Sequence, residues 1–218
     1  MRKQEPSVRV QYKREQARSE ILTAAQNLLH VDGVDRLTLA SVAGELGMTK
    51  QALYHYFPSK EALLRCLITQ LLDEEVSALG LAIANSESAA NVLGTMIRAF
   101  YDHYAVRLDA FRAIYCQSQL DSGTKSGLDE ETLRNEINPR TRHFFDLLEE
   151  RMSAEGMSKL ERKEVRLLGF LAWTSVLGLL TMLSVADATH DPLVHSDQDL
   201  IRTLSLLFDK ASLRLQTE

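Results

Sequence analysis

Between Leu39 and Leu46 the apolar residues Leu39, Val42, Ala43 and Leu46 recur at i, i+3, i+4 and i+7, which places them on one face of a short helix. Thr38 stands where its hydroxyl can cap that helix. Gly47 ends it, because glycine tolerates the left-handed backbone that a tight turn between helices requires. Thr49 is placed to cap a second helix running to Tyr56 or Phe57, with Met48, Leu53 and Phe57 as its apolar face. The other face offers Thr49, Lys50, Gln51, Ala52, Tyr54 and His55: hydroxyl and amide donors, a cation and a methyl group. Such groups suit phosphates and base edges. Two packed helices with no role on DNA are the competing reading.

The helical period continues on both sides. A first helix is expected from about Lys13 to His30, with Ile21, Ala25, Leu28 and Leu29 inward and Gly33 as its stop. Residues 1–12 lack apolar periodicity and carry Arg2, Lys3 and Arg9, so they read as a basic arm that either follows a groove or frays in solvent. Pro58 breaks the reading helix, and Ser59 with Glu61 opens a fourth helix to about Leu79 or Gly80, carrying Leu63, Leu64, Leu67, Ile68 and Leu71 inward. A fifth helix is expected from about Ser88 to Tyr104 or Arg107 and a sixth from Asp109 to about Leu120, followed by a loop over Asp121 to Glu131. Asn138 and Pro139 read as cap and first residue of a seventh helix, which Gly156 closes after about Glu155. A ninth helix from Asp197 to about Leu215, with Ser196 as cap, shows Leu200, Leu204, Leu207, Phe208, Ala211 and Leu215 at helical spacing.

Between these last two, Leu167 to Ala186 is an uncharged run of 20 residues, long enough to span a bilayer. Its Thr174, Ser175, Thr181 and Ser184 lie on several sides and its Trp sits mid-run, which speaks against a span. An eighth helix apolar all round is otherwise one covered on all sides, here by its own bundle and by a second subunit. No alternating Val/Ile/Thr run appears anywhere, so the class is all-α: an arm over 1–12, a three-helix DNA-binding head over 13–58, and a helical body over 59–218.

Composition is that of an ordinary globular chain, 45% apolar and 25% charged, so a real core can form. The net charge of −5 argues against a nucleic-acid partner until it is divided. Residues 1–60 hold 9 Lys/Arg against 6 Asp/Glu, net +3, and the remaining 16 against 24 give the rest net −8. A basic end on an acidic body confines any DNA footprint to that end. Cys66 and Cys116 lie far apart inside helical patterns, without CxxC spacing or a secretory leader, so they read as small core residues in a reducing cytoplasm.

The run LT-x3-VA-x2-LG-x-TK-x2-LYHYFPSKEALL, from Leu37 to Leu64, is similar to the helix-turn-helix signature of the tetracycline-repressor (TetR) family of bacterial regulators. The resemblance implies a homodimer joined through a four-helix bundle of the last two long helices, repression at a palindromic operator, and release by a small molecule. Double-stranded DNA and an effector of unread identity are the expected partners. Expected at DNA are Thr38, Lys50, Tyr54, His55, Tyr56 and Lys60 on phosphates, with Gln51, Thr49 and the Ala52 methyl toward bases. An effector pocket is expected among Tyr101, Tyr104, Phe111, Tyr115, Phe145, Trp173 and Thr174, although rings at helical spacing also simply fill cores.

No HExxH, GxSxG or glycine-rich phosphate loop occurs, so no catalytic residue, cofactor or enzymatic role is assigned. His190, Asp191, His195, Asp197 and Asp199 crowd one connection, yet Asp191-Pro192 is a turn signal and the last two acids suit a helix first turn, so no metal site is assigned. The alternative to a regulator is a helical binding or structural protein whose helix-turn-helix is only a packing unit.

Overall fold

A computed structural model describes residues 8–116, 129–153, 159–189 and 195–215, and the described residues are helical with no strand. Helix α1, Val8–Arg36, begins earlier than Lys13. The added turn exposes Val8, Val10 and Tyr12, so no apolar stripe marks it, and it forms by propagation from the helix behind it. The helical geometry breaks inside α1 at Gly33, whose φ of 74° only glycine adopts readily. Helices α2, Leu39–Glu45, and α3, Lys50–Tyr54, complete the head. Its core is Ile21, Ala24, Ala25, Leu29, Leu37, Leu39, Val42, Ala43, Leu53 and Phe57, all buried, while Leu28, Leu46 and Met48 are partly covered.

The α4 helix, Lys60–Ala84, runs past Gly80 to a cap at Asn85 and packs on both head and body. A 3₁₀ turn, Ala89–Asn91, leads into α5, Val92–Ala105. The sixth helix begins as α6, Leu108–Phe111, and passes into a π-type turn, Arg112–Cys116, while its expected end near Leu120 lies outside the described residues. The seventh starts earlier than Asn138. It opens as Glu130–Thr132, capped by Asp129, whose carboxylate accepts the Thr132 amide at 2.7 Å. It then passes through a π-type turn, Leu133–Ile137, and continues as Asn138–Met152; we call the whole α7. Asn138 is therefore an interior residue and not a cap. Pro139 is tolerated there because the π-type turn before it already breaks the regular amide ladder. Glu130 and Glu131 leave the expected loop for the helix, while its residues 121–128, and Gly156, lie outside the described residues.

The body closes with α8, Lys159–Thr189, and α9, Asp197–Leu215. Ser196 caps α9 as its sequence suggests, its hydroxyl accepting the Asp199 amide at 3.1 Å. Among the described residues, Glu161–Ser184 of α8 is long and apolar enough to cross a membrane. Its Val165, Ala172, Val176 and Leu180 are buried against the bundle, whereas Leu167, Phe170, Leu171 and Met182 are exposed. Cys66 is half-buried at the edge of the core, and the side chain of Cys116 lies outside the described residues.

Candidate nucleic-acid interface and body cluster

The reading unit is held by hydrogen bonds that its own sequence supplies. Thr38 and Ser41 form a reciprocal capping box: the Thr38 hydroxyl accepts the Ser41 amide at 3.0 Å and Ser41 Oγ accepts the Thr38 amide at 2.9 Å. Gly47, at φ 61°, turns the chain, and the Met48 amide donates to Ala43 O at 2.8 Å across that turn. The Thr49 hydroxyl then accepts the Ala52 amide at 3.1 Å and starts α3. The helix ends at Tyr54 with His55 as its cap, shorter than a run to Tyr56 or Phe57, because the next residues turn toward Pro58. Leu53 and Phe57 are fully buried, worth roughly 1.5–3 kcal/mol each.

That anchoring fixes what faces outward. Thr38, Thr49, Lys50, Gln51, Tyr54 and His55 are exposed, while Ala52, Tyr56 and Lys60 are half-buried. The Lys50 ammonium lies 5.8 Å from the centre of the Tyr54 ring. Ser59 caps α4, its hydroxyl accepting the Ala62 amide at 3.1 Å, and the Glu61 carboxyl sits below its usual range through its backbone and Ser59 hydrogen bonds. The nine expected DNA-facing residues thus lie at the N-cap of α2, along α3 with its N-cap and the turn after it, and at the first residue of α4.

Arg18 is a part of this unit that periodicity does not reveal. Its guanidinium carbon lies 4.5 Å over the Phe57 ring, Nη1 donates to Tyr56 O at 2.9 Å, and Nη2 donates to Cys66 Sγ at 3.5 Å. One side chain therefore joins α1 to the end of the reading unit and to the start of α4. Only an arginine placed among the inward positions of α1 would have hinted at it.

In the body, Tyr104, Phe111, Tyr115, Phe145 and Trp173 do come together. Ring centres lie 5.4 Å apart for Tyr104 and Phe111, 6.2 Å for Tyr115 and Trp173, and 5.9 Å for Phe145 and Trp173. Tyr104, Phe111 and Phe145 are buried; Tyr115 and Trp173 are half-buried. Tyr101 stands apart from these rings: its hydroxyl donates to Asp197 Oδ2 at 2.9 Å, and burial with that carboxylate pushes it up to about 12. The Thr174 hydroxyl is returned to its own helix, donating to Phe170 O and Leu171 O at 3.0 Å.

Glu75 is the residue missed. Burial raises its carboxyl to about 7, against the two tyrosine hydroxyls that donate to it. The signal was an acid on the otherwise apolar stripe of α4, in line with Leu71, Leu72 and Leu79. His195 and Asp199 are exposed, and no group of three or more metal-ligating side chains occurs among the described residues; His190 and Asp191 lie outside them.

Residues 21–67 match the model of the bacterial regulatory proteins of the tetR family. Over 86 residues the chain is 31% identical to the nucleoid occlusion factor SlmA of Mannheimia succiniciproducens, covering 39% of this chain and 40% of that protein. It thus matches about two fifths of the length of such curated relatives. A TetR family transcription regulator from Marinobacter aquaeolei superimposes with a TM-score of 0.63 at 13% identity, over 92% of this chain and 97% of that one. FadR from Bacillus subtilis, solved in complex with stearoyl-CoA, gives 0.61 at 18% identity, over 87% and 96%. At such identities the likeness is one of fold.

Proposed function

This chain carries the N-terminal domain of the TetR family of bacterial regulatory proteins and the fold of TetR-family transcription regulators; from that premise we propose that it is a cytoplasmic repressor which binds a palindromic operator as a homodimer and is released by a small molecule. The observation that carries the reading is the outward face of α3, where Thr49, Lys50, Gln51, Tyr54 and His55 stay exposed while Leu53 and Phe57 are sunk in the core. Residues 13–58 act as the reader and 59–218 as the effector-binding and dimerising body. Gln51, Thr49 and Ala52 face bases, and Thr38, Lys50, Tyr54, His55, Tyr56 and Lys60 touch phosphates.

Dimerisation is supported by the outer faces of α8 and α9. They form a groove of about 890 Å³ lined by Leu167, Leu171, Leu206 and Leu207, with Glu164 and Lys210 along it. All four leucines are exposed in the single chain, a contiguous apolar patch of the kind that marks an interface. Two heads related by a two-fold axis engage half-sites about 34–36 Å apart or a little more.

The test is selection of bound duplexes from a randomised pool by the purified protein, followed by affinity measurements over a range of salt. An enriched inverted repeat, bound far more tightly than random duplex and with a steep loss of affinity in salt, is expected. A protein that enriches no sequence and binds duplex DNA without salt dependence is a helical binding protein with a helix-turn-helix used for packing.

A further inference from the structure

The Glu75 carboxylate is fully buried in the body, and the hydroxyls of Tyr104 and Tyr115 donate to it, the latter at 2.8 and 2.9 Å. Two neutral donors do not replace the water that a buried carboxylate gives up; a cation does. Arg107, three residues after Tyr104, is engaged with Glu74 at 3.2 Å and with the His103 ring. Leucine occupies the neighbouring inward positions of α4, so an apolar residue would serve packing at this place better than an acid.

The walls around the carboxylate are aromatic. The Tyr115 ring lies 6.2 Å from that of Trp173, which in turn lies 5.9 Å from Phe145 and 5.9 Å from Phe170. Phe170 is 48% exposed, so a row of rings leads from solvent on α8 to the buried acid. Tyr115 and Trp173, both half-buried, stand in that row between the exposed Phe170 and Glu75.

We propose that this cluster is a site for an organic cation, an aromatic quaternary ammonium or a protonated aromatic amine, with its charge against Glu75 and its faces against Tyr104, Tyr115 and Trp173. Ring faces attract a desolvated cation, and the carboxylate neutralises it. The inference rests on the body's role as the effector domain and names the effector's class. Glu75 belongs to α4, whose first residue lies only six positions beyond Tyr54, so a cation that binds one arrangement of this helix more tightly biases the heads.

Trp173 is the chain's sole tryptophan, so its fluorescence reports the site directly. The probes are benzyltrimethylammonium, tetraphenylphosphonium and ethidium, set against neutral neopentylbenzene and anionic stearoyl-CoA, with calorimetry as a second readout. The cations are expected to change Trp173 emission and to bind at least tenfold more tightly than neopentylbenzene, the uncharged shape-match of the first. Glu75→Gln, which keeps the volume and removes the charge, is expected to fold with an unchanged helical spectrum and to lose at least tenfold in cation affinity while neopentylbenzene binding is kept. Failure of all three cations to bind, equal binding by Glu75→Gln, or preference for neopentylbenzene or stearoyl-CoA overturns the proposal. Release of the selected operator duplex is measured separately. Glu75-dependent cation binding without release keeps the site and removes the ligand switch, whereas release by cations that ignore Glu75 keeps the switch and removes this site.

Discussion

Asp209 of α9 caps α5 across the body: its Oδ1 accepts the Gly94 amide at 2.8 Å. Gly94 is the third residue of α5, and the helix's own cap position, Asn91, makes no side-chain cap hydrogen bond. A first-turn amide with no partner within the helix is thus satisfied by a distant carboxylate, which the helix dipole also favours. The contact is possible because residue 94 has no Cβ, since one built there falls inside the Asp209 carboxylate.

Gly94→Ala is therefore expected to push the Asp209 carboxylate, the movable end of its side chain, off the Gly94 amide, a lost cap of about 1 kcal/mol that the higher helix propensity of alanine offsets by about as much. Asp209→Ala is expected to cost about 1 kcal/mol as the loss of a cap. The double variant should be more stable than the sum of the two, because both single variants lose the same cap. Urea unfolding of the four proteins measures this, and strict additivity shows that α5 and α9 do not meet at this pair.

Glu75 sets a pH dependence. Its folded carboxyl, raised to about 7 by burial against the hydroxyls of Tyr104 and Tyr115, binds a proton more tightly than the unfolded chain does, where the value is 4.5. The contribution is fully present below about pH 4.5 and is lost as pH rises to about 7, by up to about 3 kcal/mol. Arg107, His103 and Glu74 lie nearby, with Arg107 paired to Glu74 at 3.2 Å. Thermal melts of wild type and Glu75→Gln from pH 4.5 to 8 should diverge, with the variant gaining relative to wild type as pH rises. Parallel curves would mean that Glu75 titrates alike folded and unfolded.

At the head, Gln51→Ala and Lys60→Ala should differ in kind. An amide that pairs with adenine discriminates by roughly 1–3 kcal/mol, so Gln51→Ala is expected to relax the preference of the selected inverted repeat over random duplex. Lys60→Ala should weaken both duplexes alike and reduce the salt slope by about one. Equal effects of both variants on both duplexes would remove this division of roles.

Leu207 is 61% exposed on α9, whereas Leu204 is half-buried against the chain's own core. Leu207→Asp is thus the cleaner test of self-association, since it puts an unpaired charge into the α8–α9 groove without cutting into the bundle. The variant is expected to sediment as a folded monomer and to lose operator binding. A variant that still sediments as a dimer places the interface on another face.

Wherever a local rule decides the outcome, the residues were enough. Thr38, Gly47, Thr49 and Ser59 act within four residues of themselves, so the caps and turn of the reading unit were legible, as were the bounds of α9. The outward face of α3 follows from the burial of Leu53 and Phe57, which periodicity alone identifies. Local rules failed where a solvent-covered or irregular segment left no stripe: the first turn of α1, and the π-type turn before Asn138, where Asp129 and not Asn138 is the cap. Contacts between distant elements belong to the tertiary structure alone. Arg18 over Phe57, Asp209 on Gly94, and Tyr104 and Tyr115 on Glu75 join residues 39, 115, 29 and 40 positions apart. No periodicity encodes such a distance, because the helical repeat says which way a side chain faces and not what waits for it there.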